Sequence, residues 1–324
     1  MTAANVARIG TVLVPVDGSP ESERAVPVAL ALARARGGTV RAAHVFVPIG
    51  AAAARSDEEN GMAVALEEAL REESRVYVRE AADRLATEAP GTEVDFIDAY
   101  GVRSPFGETA RVVAALLLHA ERWRVGLIVM TTHGRGGLSR AWLGSVADGI
   151  TRESRIPLLL IRPATEPPRS GGFLRIVVPL DGSGAAEEAI PWALSLAAPA
   201  GAHITLVRVV TPRRVLARPA PVARVDAGAL TLESEHAASE LSMSVARISS
   251  ECVTADTAVL VDERPARAIL DLARHVGADL IAMSTHGRGG VRRLVLGSVA
   301  DKVVRGADAA VLLIRPAAEG TADA

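Results

Sequence analysis

Two short motifs occur twice in this chain at the same spacing, and this repeat constrains its fold more than any other feature. The motif THGRGG at Thr132–Gly137 returns unchanged at Thr285–Gly290. After five intervening residues in both places, LGSVAD at Leu143–Asp148 returns at Leu296–Asp301. Twelve identities at one offset indicate that a whole domain has been duplicated.

A third motif marks the beginning of each half. VPVDGS at Val14–Ser19 corresponds to VPLDGS at Val178–Ser183, and both halves end in the same strand-like LLIRP. The stretch between the halves, 164–172, contains proline, glycine and serine, which is typical of a linker. We therefore predict two domains, at 1–165 and 172–318.

Within each half, short runs rich in β-branched residues alternate with longer helical patterns. We predict strands at 10–16, 39–46, 93–99, 126–131 and 157–161, then at 174–180, 203–209, 255–261, 279–284 and 310–314. We predict helices at 21–36, 62–88, 106–122 and 143–152, then at 185–198, 228–250, 266–276 and 296–305.

This alternation predicts an α/β chain with two repeated, open, mostly parallel five-stranded sheets and helices on both faces, a Rossmann-like fold. Hydrophobic residues make up 49% of the chain and aromatic residues only 3%, so the cores must be mainly aliphatic. Buried parallel strands covered by helices have this composition.

Several classes of protein are excluded by composition. A net charge of −2 gives no basic surplus for nucleic acid, and the single cysteine, Cys252, excludes a disulfide framework or a multi-cysteine metal site. The apolar runs are too short to span a bilayer, and the N-terminus shows no signal-peptide pattern. We expect a cytoplasmic protein with neither nucleic acid nor membrane as a partner.

Ligands of open parallel sheets bind beyond the carboxyl ends of the strands, where the strand order reverses. Asp17 and Asp181 each follow the first strand of their half, and a glycine-rich loop follows the fourth. Each aspartate either accepts hydrogen bonds from a ribose or base, or caps the helix that follows. Both roles are compatible, because Ser19 or Ser183 is able to cap instead.

The glycine-rich loops have the features of a phosphate site. Gly134 and Gly137 allow the backbone to approach an anion, and Gly287 and Gly290 repeat them. The next helix in each half begins with glycine and serine, which presents N–H groups at the positive end of the helix dipole. Arg135 and Arg288 either add positive charge or lie on an ordinary solvated face. His133 and His286 have no nucleophile or metal cluster beside them in sequence, so we interpret them as turn residues.

Both halves resemble the universal stress protein family in its tandem-domain form. ATP-binding members carry G-x2-G-x9-G-[ST], and Gly134 with Gly144-Ser145 matches its latter part, as does Gly287 with Gly297-Ser298. Thr131 and Ser284 stand where the family has its first glycine, which adds bulk close to the phosphates. The resemblance also implies that Val45 and Val209 contact adenine through their backbone.

The predicted nucleotide-binding residues are equivalent in the two halves. In the first half they are Asp17, Val45, Thr131, Gly134, Arg135, Gly137, Gly144, Ser145 and Val146. In the second half they are Asp181, Val209, Ser284, Gly287, Arg288, Gly290, Gly297, Ser298 and Val299. We predict no catalytic residue and no metal ligand.

Three functions remain open. The first is an ATP-binding regulatory protein of the stress response, with or without Mg²⁺, in which binding rather than turnover is the main event. The second is a slow ATPase or a self-phosphorylating enzyme that uses Ser145 or Ser298. The third is a nucleotide-free scaffold for partner proteins. The resemblance further implies pairing through the last strands, either between the halves as a pseudo-dimer or between two chains as a homodimer.

Overall fold

A computed structural model describes most of the chain, with gaps at both termini and at several internal positions. The described residues are 9–48, 57–132, 143–162, 165–168, 171–199, 201–212, 214–217, 222–248, 253–285 and 296–316. The chain divides between Pro167 and Pro168 into two compact units, and each is described by itself.

The first unit alternates strands and helices along its whole length. Its strands are β1 (Thr11–Val16), β2 (Thr39–Phe46), β3 (Thr92–Asp98), β4 (Val125–Thr131) and β5 (Leu158–Ile161). Its helices are α1 (Pro20–Glu23), α2 (Ala25–Arg34), α3 (Asp57–Glu88), α4 (Glu108–Arg122) and α5 (Ser145–Glu153).

The second unit repeats this arrangement and adds a hairpin. Its sheet strands are β6 (Arg175–Pro179), β7 (Ala202–Val210), β10 (Val253–Val261), β11 (Leu280–Ser284) and β12 (Ala310–Ile314). Its helices are α6 (Gly184–Glu187), α7 (Ala189–Leu196), α8 (Ala227–Ile248), α9 (Pro265–His275) and α10 (Ser298–Gly306). The strands β8 (Arg214–Ala217) and β9 (Val222–Val225) form an antiparallel pair between β7 and α8.

Each unit has one five-stranded sheet whose strands pair in parallel. The order is β3-β2-β1-β4-β5 in the first unit and β10-β7-β6-β11-β12 in the second. The chain runs outward from β1 through β2 to β3, then returns to the other side of β1 for β4. Right-handed crossovers in opposite directions place helices on both faces, which confirms the predicted fold class.

The strand order reverses between β1 and β4, and between β6 and β11 in the second unit. The central strands are almost wholly apolar: Val12, Leu13 and Val14 of β1 have no exposed surface, and neither have Leu127 and Ile128 of β4. Burial on both faces explains this continuous apolar pattern, and it fixes the ends of these strands beside each other at the sheet edge.

The predicted helix at 21–36 is wrong in one respect, because it is interrupted at Arg24 into α1 and α2. Pro27 lacks the N–H group that would bond to the carbonyl of Glu23, so a continuous helix cannot form there. Pro191 has the same position in the second unit, and the predicted helix 185–198 is interrupted at Glu188.

The two units also differ from each other by insertions. The hairpin β8–β9 was not predicted, because its β-branched residues lie among prolines and show no alternation. The longer connection before the fourth strand of the first half consists of the loop 99–107 and a longer helix. Helix α4 has 15 residues, whereas its counterpart α9 has 11.

Candidate functional site

The loop after β1 turns sharply and carries the first predicted site residue. Gly18 has φ of +85°, a conformation that favours glycine, and Gly182 has φ of +82° at the equivalent point of the second unit. Asp17 and Asp181 immediately precede these glycines and are half-buried. The turn therefore holds a carboxylate at the carboxyl end of a central strand in both units.

Serine, not aspartate, caps the helix that follows this loop. The Ser19 hydroxyl accepts a hydrogen bond from the Ser22 N–H at 3.2 Å. One carboxylate oxygen of Asp17 accepts two bonds from Ser19, from its N–H at 3.0 Å and from its hydroxyl at 2.6 Å. The aspartate thus orients the capping serine.

The second unit reproduces this geometry. Asp181 accepts from the Ser183 N–H at 3.0 Å and from its hydroxyl at 2.6 Å. The Ser183 hydroxyl accepts in turn from the Ala186 N–H at 3.2 Å. Since the same loop forms twice with equal distances, its geometry is encoded by the repeated Asp-Gly-Ser motif itself.

The N-terminus of the last helix of each unit faces the same sheet edge. Gly144 is the N-cap of α5, with no side-chain cap, and its N–H donates to the Thr132 carbonyl at 3.3 Å. This bond ties the start of α5 to the residue that follows β4. Gly297 donates to the Thr285 carbonyl at 3.0 Å and caps α10 in the same way.

The first turns of these helices expose hydrogen-bond donors. Ser145 and Ser298 are each the first helical residue and are exposed, while Val146 and Val299 are half-buried. In the part of the chain that the structure describes, no acceptor meets the backbone N–H groups of Ser145 or Val146. A helix end with such open donors and a positive dipole attracts anions.

The remaining predicted residues fall into three groups. Thr131 ends β4 and Ser284 ends β11, and both are buried, so their hydroxyls lie inside the protein at the strand ends. Val45 and Val209 are half-buried near the ends of β2 and β7. Six other predicted residues lie outside the described part of the chain: Gly134, Arg135, Gly137, Gly287, Arg288 and Gly290.

One cluster near the aspartate loop was missed by the sequence analysis. In the first unit, the Nδ1 atom of His44 lies 3.1 Å from the Val16 carbonyl, and the ring of Tyr77 meets the His44 ring edge-on at 5.0 Å. The Tyr77 hydroxyl donates to Glu23 at 2.8 Å, and Arg84 donates to both oxygens of that carboxylate. These residues come from β2, α3 and α1, so no local pattern signals their contact.

Burial raises the pKa of the Tyr77 hydroxyl well above its ordinary value, and the hydrogen bond to Glu23 raises it further. The phenol therefore stays protonated and keeps its role as a donor. A neutral donor in this position holds the Glu23 carboxylate together with Arg84.

We also searched the described residues for metal-ligand clusters and for membrane-spanning helices. Among them, no group of three or more His, Cys, Asp and Glu side chains is arranged to hold a metal ion. No helix within the described ranges is long and apolar enough to cross a membrane.

Similarity to known proteins covers both units. A family model described as the universal stress protein family matches residues 8–162 and again residues 172–315. A universal stress protein of Mycobacterium tuberculosis is 28% identical over 190 residues, which cover 58% of this chain and 61% of the relative. One from Methanocaldococcus jannaschii is 30% identical over 146 residues, which cover 44% of this chain and 82% of the relative.

The fold is shared with a solved structure over nearly its full length. The crystal structure of a universal stress protein from Archaeoglobus fulgidus superposes with a TM-score of 0.63 at 19% identity, and the match covers 95% of this chain and 99% of that one. At this identity the superposition supports the fold alone. The match to the mycobacterial relative spans less than two thirds of that protein's length.

Proposed function

This chain belongs to the universal stress protein family, and on that premise we propose that each half binds ATP and that the whole chain acts as a regulatory protein. The nucleotide lies in the crevice between the aspartate loop and the start of the last helix. Binding, not turnover, is the main event in this proposal. The glycine-rich loop completes the crevice by contacting the phosphates.

One observation carries the proposal. In both units, a carboxylate loop and an open helix N-terminus follow neighbouring strands on the two sides of the reversal point. The carboxylate suits the hydroxyls of a ribose or the N–H groups of a base, and the helix N-terminus suits a phosphate. A nucleotide is the common ligand that combines both chemistries.

The chain's own residues divide the work of binding. Asp17 and Asp181 orient the sugar or base, while the first-turn N–H groups and the hydroxyls of Ser145 and Ser298 contact phosphate oxygens. Mg²⁺ in nucleotide sites keeps several water ligands and binds mainly through the phosphates, so any Mg²⁺ is held chiefly by the ATP itself.

The test is calorimetric titration of ATP into the whole chain and into a charge variant. Ser145→Asp with Ser298→Asp places a carboxylate at each helix start, where the helix dipole favours it and folding is preserved. The same carboxylate repels the several charges of a polyphosphate, so ATP affinity should fall about a hundredfold or more at each site.

The matched control is Ser145→Asn with Ser298→Asn, which keeps the size of aspartate without its charge. We expect it to bind ATP far more tightly than the aspartate variant does. Equal affinities for the two variants, or no heat of binding with the folded wild-type chain, would refute the proposal.

Turnover is measured in the same samples, since the exposed hydroxyls of Ser145 and Ser298 are the candidates for self-phosphorylation. The proposal expects saturating ATP binding without steady phosphate release and without a mass increase of the protein. Phosphate release that the aspartate variant abolishes would favour the enzymatic alternative instead.

A further inference from the structure

The two aspartate loops, 17–19 and 181–183, have equal geometry, but the neighbouring residues that hydrogen-bond to them differ. In the first unit, the carbonyl of Val16 only accepts hydrogen bonds, so the Nδ1 atom of His44 must carry the proton that joins them at 3.1 Å. The Asp17 N–H donates to the Ser22 hydroxyl at 3.2 Å, and that hydroxyl donates to the Ser19 carbonyl at 2.9 Å. Both ends of the loop are thereby held.

A second layer stiffens these supports. Tyr77 packs against His44 and donates to Glu23, which lies in α1 immediately after the loop. Arg84 pairs with the same carboxylate at 2.6 Å, and the Glu23 side chain is only 17% exposed. The loop of the first unit is thus connected through His44 to β2 and through Glu23 to α3.

The equivalent positions of the second unit hold different residues. When the two halves are aligned on the motif that contains Asp17 and Asp181, Ala186 is equivalent to Ser22 and Arg208 is equivalent to His44. Alanine has no hydroxyl, so the support that Ser22 gives to the Asp17 N–H cannot form there. Arg208, only 8% exposed, donates to Glu240 at 2.9 Å and bonds to no carbonyl of the loop among the described residues.

The second layer is weaker as well. Glu187 is equivalent to Glu23, and Arg247 is equivalent to Arg84 once the strand registers place the second unit one residue shorter at this point. The side chains of Glu187 and Arg247 lie 3.5 Å apart and are 46% and 63% exposed. Glu240 lies seven residues before Arg247, as Tyr77 lies seven before Arg84, so a carboxylate replaces the phenol. Arg208 is thus paired with Glu240 and not with the loop, and among the described residues its buried Nε atom has no hydrogen-bond partner.

We infer that the first half is the preorganised, higher-affinity nucleotide site and that the second half is an adaptable, lower-affinity one. The inference rests on the proposed function, and it adds the order in which the two sites fill. A loop fixed before binding loses less conformational freedom when the ligand arrives. One supporting hydrogen bond corresponds to about a threefold to tenfold difference in affinity.

The first test needs no nucleotide. Amide hydrogen exchange in the apo chain should be slower in the segment 17–23 than in 181–187, because the first loop opens less often. Ser22→Ala should speed exchange in the first segment, and Ala186→Ser should slow it in the second. Equal exchange in the two segments of the wild-type chain would overturn the inference.

The second test measures each site alone. Ser298→Asp leaves the first site intact, and Ser145→Asp leaves the second. ATP should bind the first form about threefold to tenfold more tightly than the second. Ser22→Ala should reduce this difference by weakening the first site, and Ala186→Ser should reduce it by tightening the second. Equal affinities, or a tighter second site, would also overturn the inference.

The two readouts separate the inference from the proposed function. If the segments exchange unequally but neither form binds ATP, the proposed function fails while the difference in loop support stands. If both forms bind ATP and the segments exchange equally, the proposed function stands and the inference fails.

Discussion

At the scale of single residues, the aspartate after the first strand both holds the capping serine in place and presents a carboxylate at the end of the strand. The sequence left open whether Asp17 caps a helix or meets a ligand. Ser19 is the cap, and Asp17 holds it through one carboxylate oxygen at 2.6 and 3.0 Å. A short polar motif thus builds a rigid turn and keeps an acidic group at the edge of the sheet.

Tyr77 provides a residue-scale prediction that depends on burial. The chain has only two tyrosines, so Tyr100→Phe leaves Tyr77 as the sole phenol. Because burial raises its pKa, its absorbance step in an alkaline titration should lie well above pH 10, the ordinary value for tyrosine. A step at about pH 10 in the folded variant would contradict the buried, hydrogen-bonded geometry.

The same shift links Tyr77 to stability at high pH. Its folded-state pKa is raised, so its stabilising contribution is complete below about pH 10 and is lost as the pH rises above that value. Tyr77→Phe removes this ionisation. We therefore expect the variant's free energy of unfolding to fall less steeply than that of the wild type in denaturant titrations above pH 10.

At the scale of elements, close contacts between helices depend on glycine. A Cβ atom on Gly149, in the middle of α5, would lie 2.6 Å from a methyl group of Val113 in α4. Valine is branched at Cβ and cannot turn away easily, so α5 would have to shift. This contact fixes the helix whose N-terminus we assign to the phosphates.

Gly149→Ala should therefore destabilise the chain by about 1–2 kcal/mol, since overpacking outweighs the better helix propensity of alanine. Gly61→Ala in α3 is the matched control, because Gly61 is also helical and a Cβ there meets nothing within 4 Å. Denaturant unfolding should show a lower midpoint for the first variant and an unchanged or slightly higher midpoint for the second. A stabilised Gly149→Ala variant would show that the two helices pack less closely.

The elements also show which parts of the fold a sequence can predict. The central strands were predicted because burial on both faces leaves an uninterrupted apolar run, as in Val12–Val14. The interruptions at Arg24 and Glu188 follow from Pro27 and Pro191, a local signal that was present but outweighed by the helical pattern. The cluster around Glu23 was not predictable, since Arg84 lies 61 residues away and only the packed fold brings them together.

At the scale of the whole molecule, the duplicated units have diverged mainly by insertion and by support of the loops. The first unit carries the longer loop and helix before β4, and the second carries the hairpin β8–β9. The motifs at the reversal points stayed alike, as Asp17 with Ser19 and Asp181 with Ser183 show. The shared Asp-Gly-Ser turn and its different surroundings are what we expect of two sites that bind the same class of ligand with different affinities.

Pairing through the last strands remains a prediction with two forms. If the halves of one chain pair with each other, light scattering should give a mass of 33.7 kDa. If two chains pair, it should give twice that mass. Proline at an outward-facing position of β5 or β12 removes a ladder donor and should split the larger particle only in the second form.

The central claim is that each half holds one ATP between its aspartate loop and the start of its last helix. Native mass spectrometry of the whole chain with ATP tests it most directly, because it counts the nucleotides on each folded molecule. The account predicts two ATP on the wild-type chain, one after Ser145→Asp or Ser298→Asp alone, and none after both. Folded wild-type chain that carries no ATP, or a double variant that still carries two, would contradict it.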